Sequence, residues 1–547
     1  MQIINFLKEN KKNIFLVSIN IAFWLVVLGI IFINFYASGL IFKYEENHDH
    51  HLPFFAYLGG MASNGIFPGI DFYSPHSIFI PLIFGAFFKI FGISQINLAL
   101  VDGFLTFIGL FFIYKSARFV MPNLYAKLSI LTLLLNHIGR DNPWFNDVIM
   151  VAIACGIYYF ASYINDGKKY KLIIIGLVCF SLPFMRQQGL AISIIFIMLP
   201  MILHYLRAIE KETYKEMILN ISATYFVCNI LFFIFILVYK GFEGIEILFS
   251  SFYSLVNMSH PPLDYAGGSD LFKSFFDYTD LGIDWHGIFV KYFLYWIIII
   301  LPCIYFFYIP FSKFYRKEKI TNIDSITFIV SLITLSTIVF NYPAIDNAKL
   351  KVQFGIAIWL FIEALRRCFY NEKHRKLSAI FILGVFLFIN HSKINQFINQ
   401  SMANLALITT QNPTYEKMPK DTPYAGMRFK ADYASDLQNI IYKLSEYQSK
   451  NQNKKTIFDG ELVEINNFLF LLFNNNKVAL QHKFPYYYGG YNRKDFFKDI
   501  DSEFYKFINE NKPIVIACTN TPKLENYEVL VHINTNCNIL VPIESMN

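Results

Sequence analysis

A chain of 547 residues that is 55% hydrophobic and 18% aromatic, with a mean hydropathy of +0.40, is not a soluble globular protein. Its net charge of +7 would suit nucleic acid in a soluble domain, but here the basic residues fall in clusters between apolar runs. Charge placed that way reports membrane topology, so the lipid bilayer is the expected partner and nucleic acid is not.

Eleven apolar segments are predicted to span, at 13–36, 93–116, 123–138, 147–164, 170–184, 189–206, 217–239, 289–310, 324–341, 350–367 and 376–391. Most approach the ~20 residues that cross a hydrocarbon core of ~30 Å. The first is too long for a signal peptide and has no small-residue cleavage site, so it reads as a retained anchor. Basic clusters then occupy alternate connections: Lys8, Lys11 and Lys12; Lys115 and Arg118; Lys168 and Lys169; Arg207, Lys211 and Lys215; Arg316, Lys317 and Lys319; and Arg366, Arg367, Lys373, Arg375 and Lys376. The positive-inside rule places that side in the cytoplasm. The fold class expected is a multi-pass α-helical membrane protein of about 11 transmembrane helices with a small α/β extracytoplasmic C-terminal domain. The transmembrane part covers 1–392 and the tail domain 393–547.

The first outer loop, 37–92, opens with YEENHDHH, which gathers Glu45, Glu46, His48, Asp49, His50 and His51 directly after the anchor. Solvated loop residues are the plain reading. Histidine beside carboxylate also suits zinc or manganese, so a divalent metal stays open and no cofactor is assigned. Further along, LPFFAYLGGMA reads as an interfacial helix, and IFIPLIFGAFFKIFG is too short to span and reads as interfacial or re-entrant. The second large outer loop, 240–288, is punctuated by Pro and Gly and reads as irregular chain.

Cations facing outward are few: Arg140 in HIGRDN, Arg186 in FMRQQG, and Lys349 and Lys351 in DNAKLKVQ. A lysine at a helix end commonly snorkels to headgroups. Arg186, beside two glutamines in a connection of a few residues, is better placed to bind phosphate through its planar fork. In the tail, ADYASDLQNIIYKLSEY reads as a helix, KTIFDG, PIVIACT and YEVLVHI as strands, and RKDFFKDIDSEFYKFINEN as a helix between them. YYYGGYN, at 486–492, could stack on sugar rings or form a packed turn. Five cysteines, at 155, 179, 228, 303 and 368, lie in or beside apolar runs and read as small hydrophobes. Cys518 and Cys537 could pair if the tail faces an oxidising compartment. There is no internal repeat, Walker motif or zinc-module spacing.

The acidic motif after the first span, then Gly65, Pro68, Asp71, Phe72 and Pro75, then an apolar helix ending in Phe91-Gly92, resembles the GT-C superfamily. These are multi-pass glycosyltransferases that use polyprenyl-phosphate sugars, including protein O-mannosyltransferases and the aminoarabinose transferase of lipid A. The resemblance covers nearly the whole chain in architecture and residues 45–92 in motif. It implies Asp49 as catalytic base, with Asp71, Glu46 and His50 in the catalytic group. Where the family often carries Asp-Glu, this chain has Asp49-His50, and Glu46 is the acid that could substitute in a helical segment. The donor phosphate falls to Arg186, Lys349, Lys351 and Arg140, and acceptor contacts to His51, His76, Asp264 and His286.

The chemistry agrees with that pattern independently. A carboxylate at the bilayer surface can take the acceptor hydroxyl proton. The phosphate leaves as an anion that needs cations and no acid. The expected function is therefore an inverting transferase. It moves sugar from a polyprenyl-phosphate-linked donor to an envelope glycan, lipid or protein acceptor, at the outer face of a bacterial inner membrane. A flippase for a lipid-linked sugar would place charged or broken helices at the midplane and show repeats between halves. An O-antigen-type polymerase would lean on a large Arg-rich outer loop, and 240–288 contains no Arg.

Overall fold

The computed structural model describes residues 11–40, 51–71, 78–137, 145–258, 285–337, 347–369, 375–409, 415–419, 426–451, 456–459, 506, 508–518, 524–532 and 537–543. Each of the eleven predicted spans coincides with a helix. In chain order these are α1 (Lys11–Leu40), α4 (Gln95–Arg118), α5 (Asn123–His137), α6 (Phe145–Asp166), α7 (Tyr170–Met185), α8 (Gly189–Tyr205), α9 (Lys211–Met258), α10 (Trp285–Tyr315), α11 (Asn322–Ser336), α12 (Asn347–Phe369) and α13 (Arg375–Thr409). Five of them are long and apolar enough to cross a membrane by length and composition. Between α1 and α4 lie two helices of 13 residues each, α2 (His51–Ser63) and α3 (Phe79–Phe91), which pack on each other through Phe55 and Phe84. Their length falls short of a bilayer core, as expected for helices at an interface.

The bundle has two chemically distinct ends. Lys169 at the start of α7 pairs with Glu216 on α9 at 2.9 Å, and Asn322 on α11 donates to the Ile164 carbonyl of α6. Arg207 beyond α8 lies over the Phe314 ring of α10, and Arg367 of α12 over Phe306. These contacts join the basic clusters into one rim, shared by the C-terminal turn of α4 with Lys115 and Arg118. Following any of these helices away from it leads to the opposite end. There a Cβ on Gly39, in the last turn of α1, would lie 2.8 Å from the Ile96 Cα at the start of α4, and one on Gly426 of the C-terminal region would lie 3.6 Å from the Ile96 side chain.

Two sequence expectations are corrected here. The outer loop expected at 240–288 is helical as far as Met258, because α9 bends at Gly241 (φ 70°, ψ −155°) instead of stopping. Beyond the bend Ile245, Leu248 and Phe252 pack with Phe184 and Phe232, and this burial carries the helix onward. His286, assigned to the same loop, lies in the first turn of α10. At the other boundary, α13 continues past residue 392 to Thr409, tied to α1 where Asn404 donates to Asn34 at 2.9 Å.

The tail holds a two-stranded antiparallel sheet, β1 (Tyr415–Lys417) with β2 (Arg428–Lys430), then α14 (Ala431–Lys450). Arg428 donates to the Leu407 carbonyl at 2.6 Å, which docks β2 against α13. A four-stranded sheet follows, in the order β3 (Thr456–Asp459), β4 (Ile514–Cys518), β6 (Cys537–Pro542), β5 (Tyr527–His532). The β3–β4 pair is parallel and the other two pairs are antiparallel. The predicted helix at 493–511 is described only at 506 and 508–511, where it is helical.

Candidate active site at the non-basic end

The sequence GIFPGID folds on itself because each residue meets a backbone need. Pro68 presets φ for the second position of a turn, and Gly69 takes φ +75° at the third, the geometry of a type II turn. The Ile70 amide closes that turn on the Phe67 carbonyl at 3.1 Å. A Cβ on Gly69 would also lie 2.7 Å from Ile78, so glycine is required twice over. Asp71 then locks the turn, its amide donating to the Phe67 carbonyl at 2.9 Å and its carboxylate accepting the Phe67 amide at 2.7 Å.

Asp71 also fastens the turn to α9. Its carboxylate accepts the Tyr239 hydroxyl at 3.1 Å, and that hydroxyl lies 3.1 Å from the Gly65 carbonyl as well. The Lys240 ammonium stands 4.0 Å from Asp71 and 3.9 Å from Glu243, a loose hold on both sides. The Asp71 side chain is only 12% exposed, so these partners stabilise a carboxylate largely withdrawn from water. Phe67 packs on Tyr239 with ring centroids 5.4 Å apart.

A second contact ties the same loop to the cation expected at the end of α7. The Ile78 amide donates to the Phe184 carbonyl at 3.0 Å, and Phe79, Phe180, Phe184 and Phe232 form an aromatic cluster beneath it. Each such ring pair adds about 0.5–1.5 kcal/mol beyond its burial. Arg186 terminates α7 in an extended conformation (φ −163°, ψ 138°), and its Nε donates to Gln188 Oε1 at 2.9 Å. The Gly189 amide returns to the Arg186 carbonyl at 2.8 Å, and a Cβ on Gly189 would collide with the Leu182 carbonyl. The short FMRQQG connection is thus a built turn, and it begins two residues before Arg186 at Phe184, whose carbonyl holds the Ile78 amide.

Of the remaining candidates, Asp49, Glu46, His50, His76, Arg140 and Asp264 lie outside the described residues, as does YYYGGYN. His51 opens α2, and Lys349 and Lys351 fall in the first two turns of α12. The α12 helix ends with Arg366 and Arg367 on the basic rim, so its two lysines stand about 25 Å away along the axis, at the Asp71 end. The structure thus brings Asp71 and Arg186 to one end of the bundle and places the α12 lysines on the same side. It adds Tyr239 and Lys240, which the sequence reading treated as the end of a span and the start of a loop. Their signal was an aromatic–cation pair closing a long apolar run, VYKGFEG. Among the described residues no group of three or more His, Cys, Asp or Glu is arranged to hold a metal.

No protein-family model matches the sequence, and no curated protein matches it significantly. Solved structures do match. The apo form of ArnT from Cupriavidus metallidurans aligns at TM-score 0.56 and 12% identity, over 96% of this chain and 98% of that one. ArnT bound to undecaprenyl phosphate aligns at TM-score 0.51 and 11% identity over the same shares. The apo oligosaccharyltransferase of Archaeoglobus fulgidus aligns at TM-score 0.47 and 10% identity, over 91% of this chain and 69% of that one. The eleven helices, the short α2–α3 pair and the C-terminal sheets together thus share the fold of ArnT.

Proposed function

We propose that this chain is an inverting glycosyltransferase of a bacterial inner membrane. It moves a sugar from a polyprenyl-phosphate donor to an envelope glycan, lipid or protein acceptor at the outer face. The observation that carries this reading is that Asp71 meets Tyr239 and Lys240 at the non-basic end of the bundle, where Ile78 also bonds Phe184, two positions before Arg186. The fold shared with a protein solved in complex with undecaprenyl phosphate supports it by analogy.

In the reaction, Asp49 takes the proton from the acceptor hydroxyl as that oxygen attacks the anomeric carbon. The bond from the anomeric carbon to the phosphate oxygen breaks on the opposite face, which inverts the configuration. Both electrons of that bond leave with the polyprenyl phosphate, and Arg186 with Lys240 stabilises the charge that builds there. Lys349 and Lys351 serve the same anion from the start of α12. Asp71 acts as a positioning residue, since its hydrogen bonds fix the loop that follows α2 against α9.

The test is purified protein incubated with a panel of polyprenyl-phosphate sugars and candidate acceptors, scored by release of polyprenyl phosphate. Release that depends on acceptor, for one donor, is the expected result. Movement of intact lipid-linked sugar across sealed vesicles without release would replace the transferase with a transporter.

A further inference from the structure

The register of the tail sheet puts the only two tail cysteines directly opposite each other. In the antiparallel β4–β6 pair the partners are Val515 with Leu540, Ile516 with Ile539, Ala517 with Asn538, and Cys518 with Cys537. No bulge interrupts this ladder. Directly opposed residues of antiparallel strands have Cα atoms about 4.5 or 5.5 Å apart, depending on the hydrogen-bonding position. Both separations fall within the roughly 4.4–6.8 Å that a disulfide spans. Opposed residues also share one face of the sheet.

By alternation that face carries Ile514 in phase with Cys518 on β4, and Ile539 and Val541 in phase with Cys537 on β6; Ile514, Ile539 and Val541 are buried, as is Val515 on the opposite face of β4. Of the potential metal ligands on the described strands, Glu528 shares this face but lies opposite Val541, four positions along β6 from Cys537. His532 is in register with Asn538, and Asp459 with Ala517, each one position out of phase with the cysteines. Among the described residues the sheet therefore offers two opposed cysteines and no histidine or carboxylate residue in register beside them, a pattern for a covalent bridge and not for zinc. The five other cysteines are free thiols on helices.

We infer that Cys518 and Cys537 form a cross-strand disulfide that staples β4 to β6. The two thiols lose two protons and two electrons as the sulfur–sulfur bond forms. A protein disulfide oxidant of the compartment outside the membrane accepts them, its own disulfide becoming a dithiol. Closing the chain around β5 restricts the unfolded tail domain, so its thermal midpoint should rise.

The full-length protein extracted from cells in the presence of an alkylating reagent, then digested with trypsin without reductant, tests this. Cleavage after Lys506 and Lys523 puts the cysteines in separate peptides, 507–523 and 524–547. The expected product is the two peptides joined, separating on reduction. Cys537→Ser should release Cys518 to the alkylating reagent, and that double peptide should vanish. Separate, fully alkylated 507–523 and 524–547 from the wild-type protein would overturn the inference.

Discussion

At the basic rim, Glu363 is fully buried and takes Arg366 through two bonds of 2.7 and 2.8 Å and Arg367 through a third of 2.9 Å. Lys313 meets Asp324 at 2.7 Å inside a capping box with Thr321, and Lys171 meets both Asp166 and Ser162. At the other end Asp71 spends its oxygens on a backbone amide and a tyrosine, and its nearest ammonium stands off at 4.0 Å. The rim matches cation to carboxylate at contact distance, as a structural anchor should. The far end holds its carboxylate with neutral donors and leaves Lys240 between two carboxylates at long range. An ammonium held that way can turn to an arriving phosphate without breaking a tight pair.

The broadest way to break this contrast is to reverse its compartments. Reporter fusions after residues 120, 212 and 372 should read inside, and those after 70, 270 and 430 outside. A tail that reads inside would separate the proposed base from the outer face altogether. Within the site, Asp49→Asn keeps the shape of the side chain but removes the base. Transfer should fall by roughly 10²–10⁴-fold while donor affinity survives. His50→Ala and His51→Ala should be milder, with Asp71→Asn between. Normal transfer by Asp49→Asn, beside a dead Asp71→Asn, would move the base to Asp71.

The rim should answer differently. Glu363→Ala removes the buried carboxylate that holds Arg366 and Arg367 and should cost about 1.5–3 kcal/mol of stability. Thermal unfolding in detergent measures that loss, and donor affinity in the folded fraction should stay at the wild-type value. Arg186→Ala should do the reverse, weakening donor binding and turnover by ~10²-fold with the melting temperature nearly held, and Arg186→Lys should restore part. A folded Arg186→Ala enzyme with wild-type turnover would class Arg186 with the snorkelling cations.

Much of this contrast was legible in the residues. Apolar runs announced each of the eleven helices, and the clustering of Lys115, Lys168, Arg207 and Arg366 in alternate connections announced the rim, because long apolar runs and charge clusters are visible in composition alone. The far end was less legible because it depends on contacts distant in sequence. Nothing local in VYKGFEG says that Tyr239 will reach back 168 positions to Asp71. The apolar run was expected to end as a span at 239, and only the aromatic packing around Phe184 explains why the chain bends at Gly241 and goes on. In the tail, β6 went unread, and with it the register that sets Cys518 against Cys537, since the order β3-β4-β6-β5 inserts the last strand between two earlier ones.

The smallest expected effect isolates how the far end is held. Tyr239→Phe removes one hydroxyl and leaves the ring on Phe67, so it should cost about 1 kcal/mol, a roughly 5-fold loss of turnover if the loop then samples other positions. Donor affinity should change little, because the lost bond positions the loop and holds no phosphate. The hydroxyl lies within bonding distance of both Asp71 and the Gly65 carbonyl, and a double-mutant cycle tells the two apart. If it acts through Asp71, adding Tyr239→Phe to Asp71→Asn should lower turnover by less than it does alone. Full additivity would assign the hydroxyl to Gly65, and Asp71 would then hold the loop chiefly through the Phe67 amide.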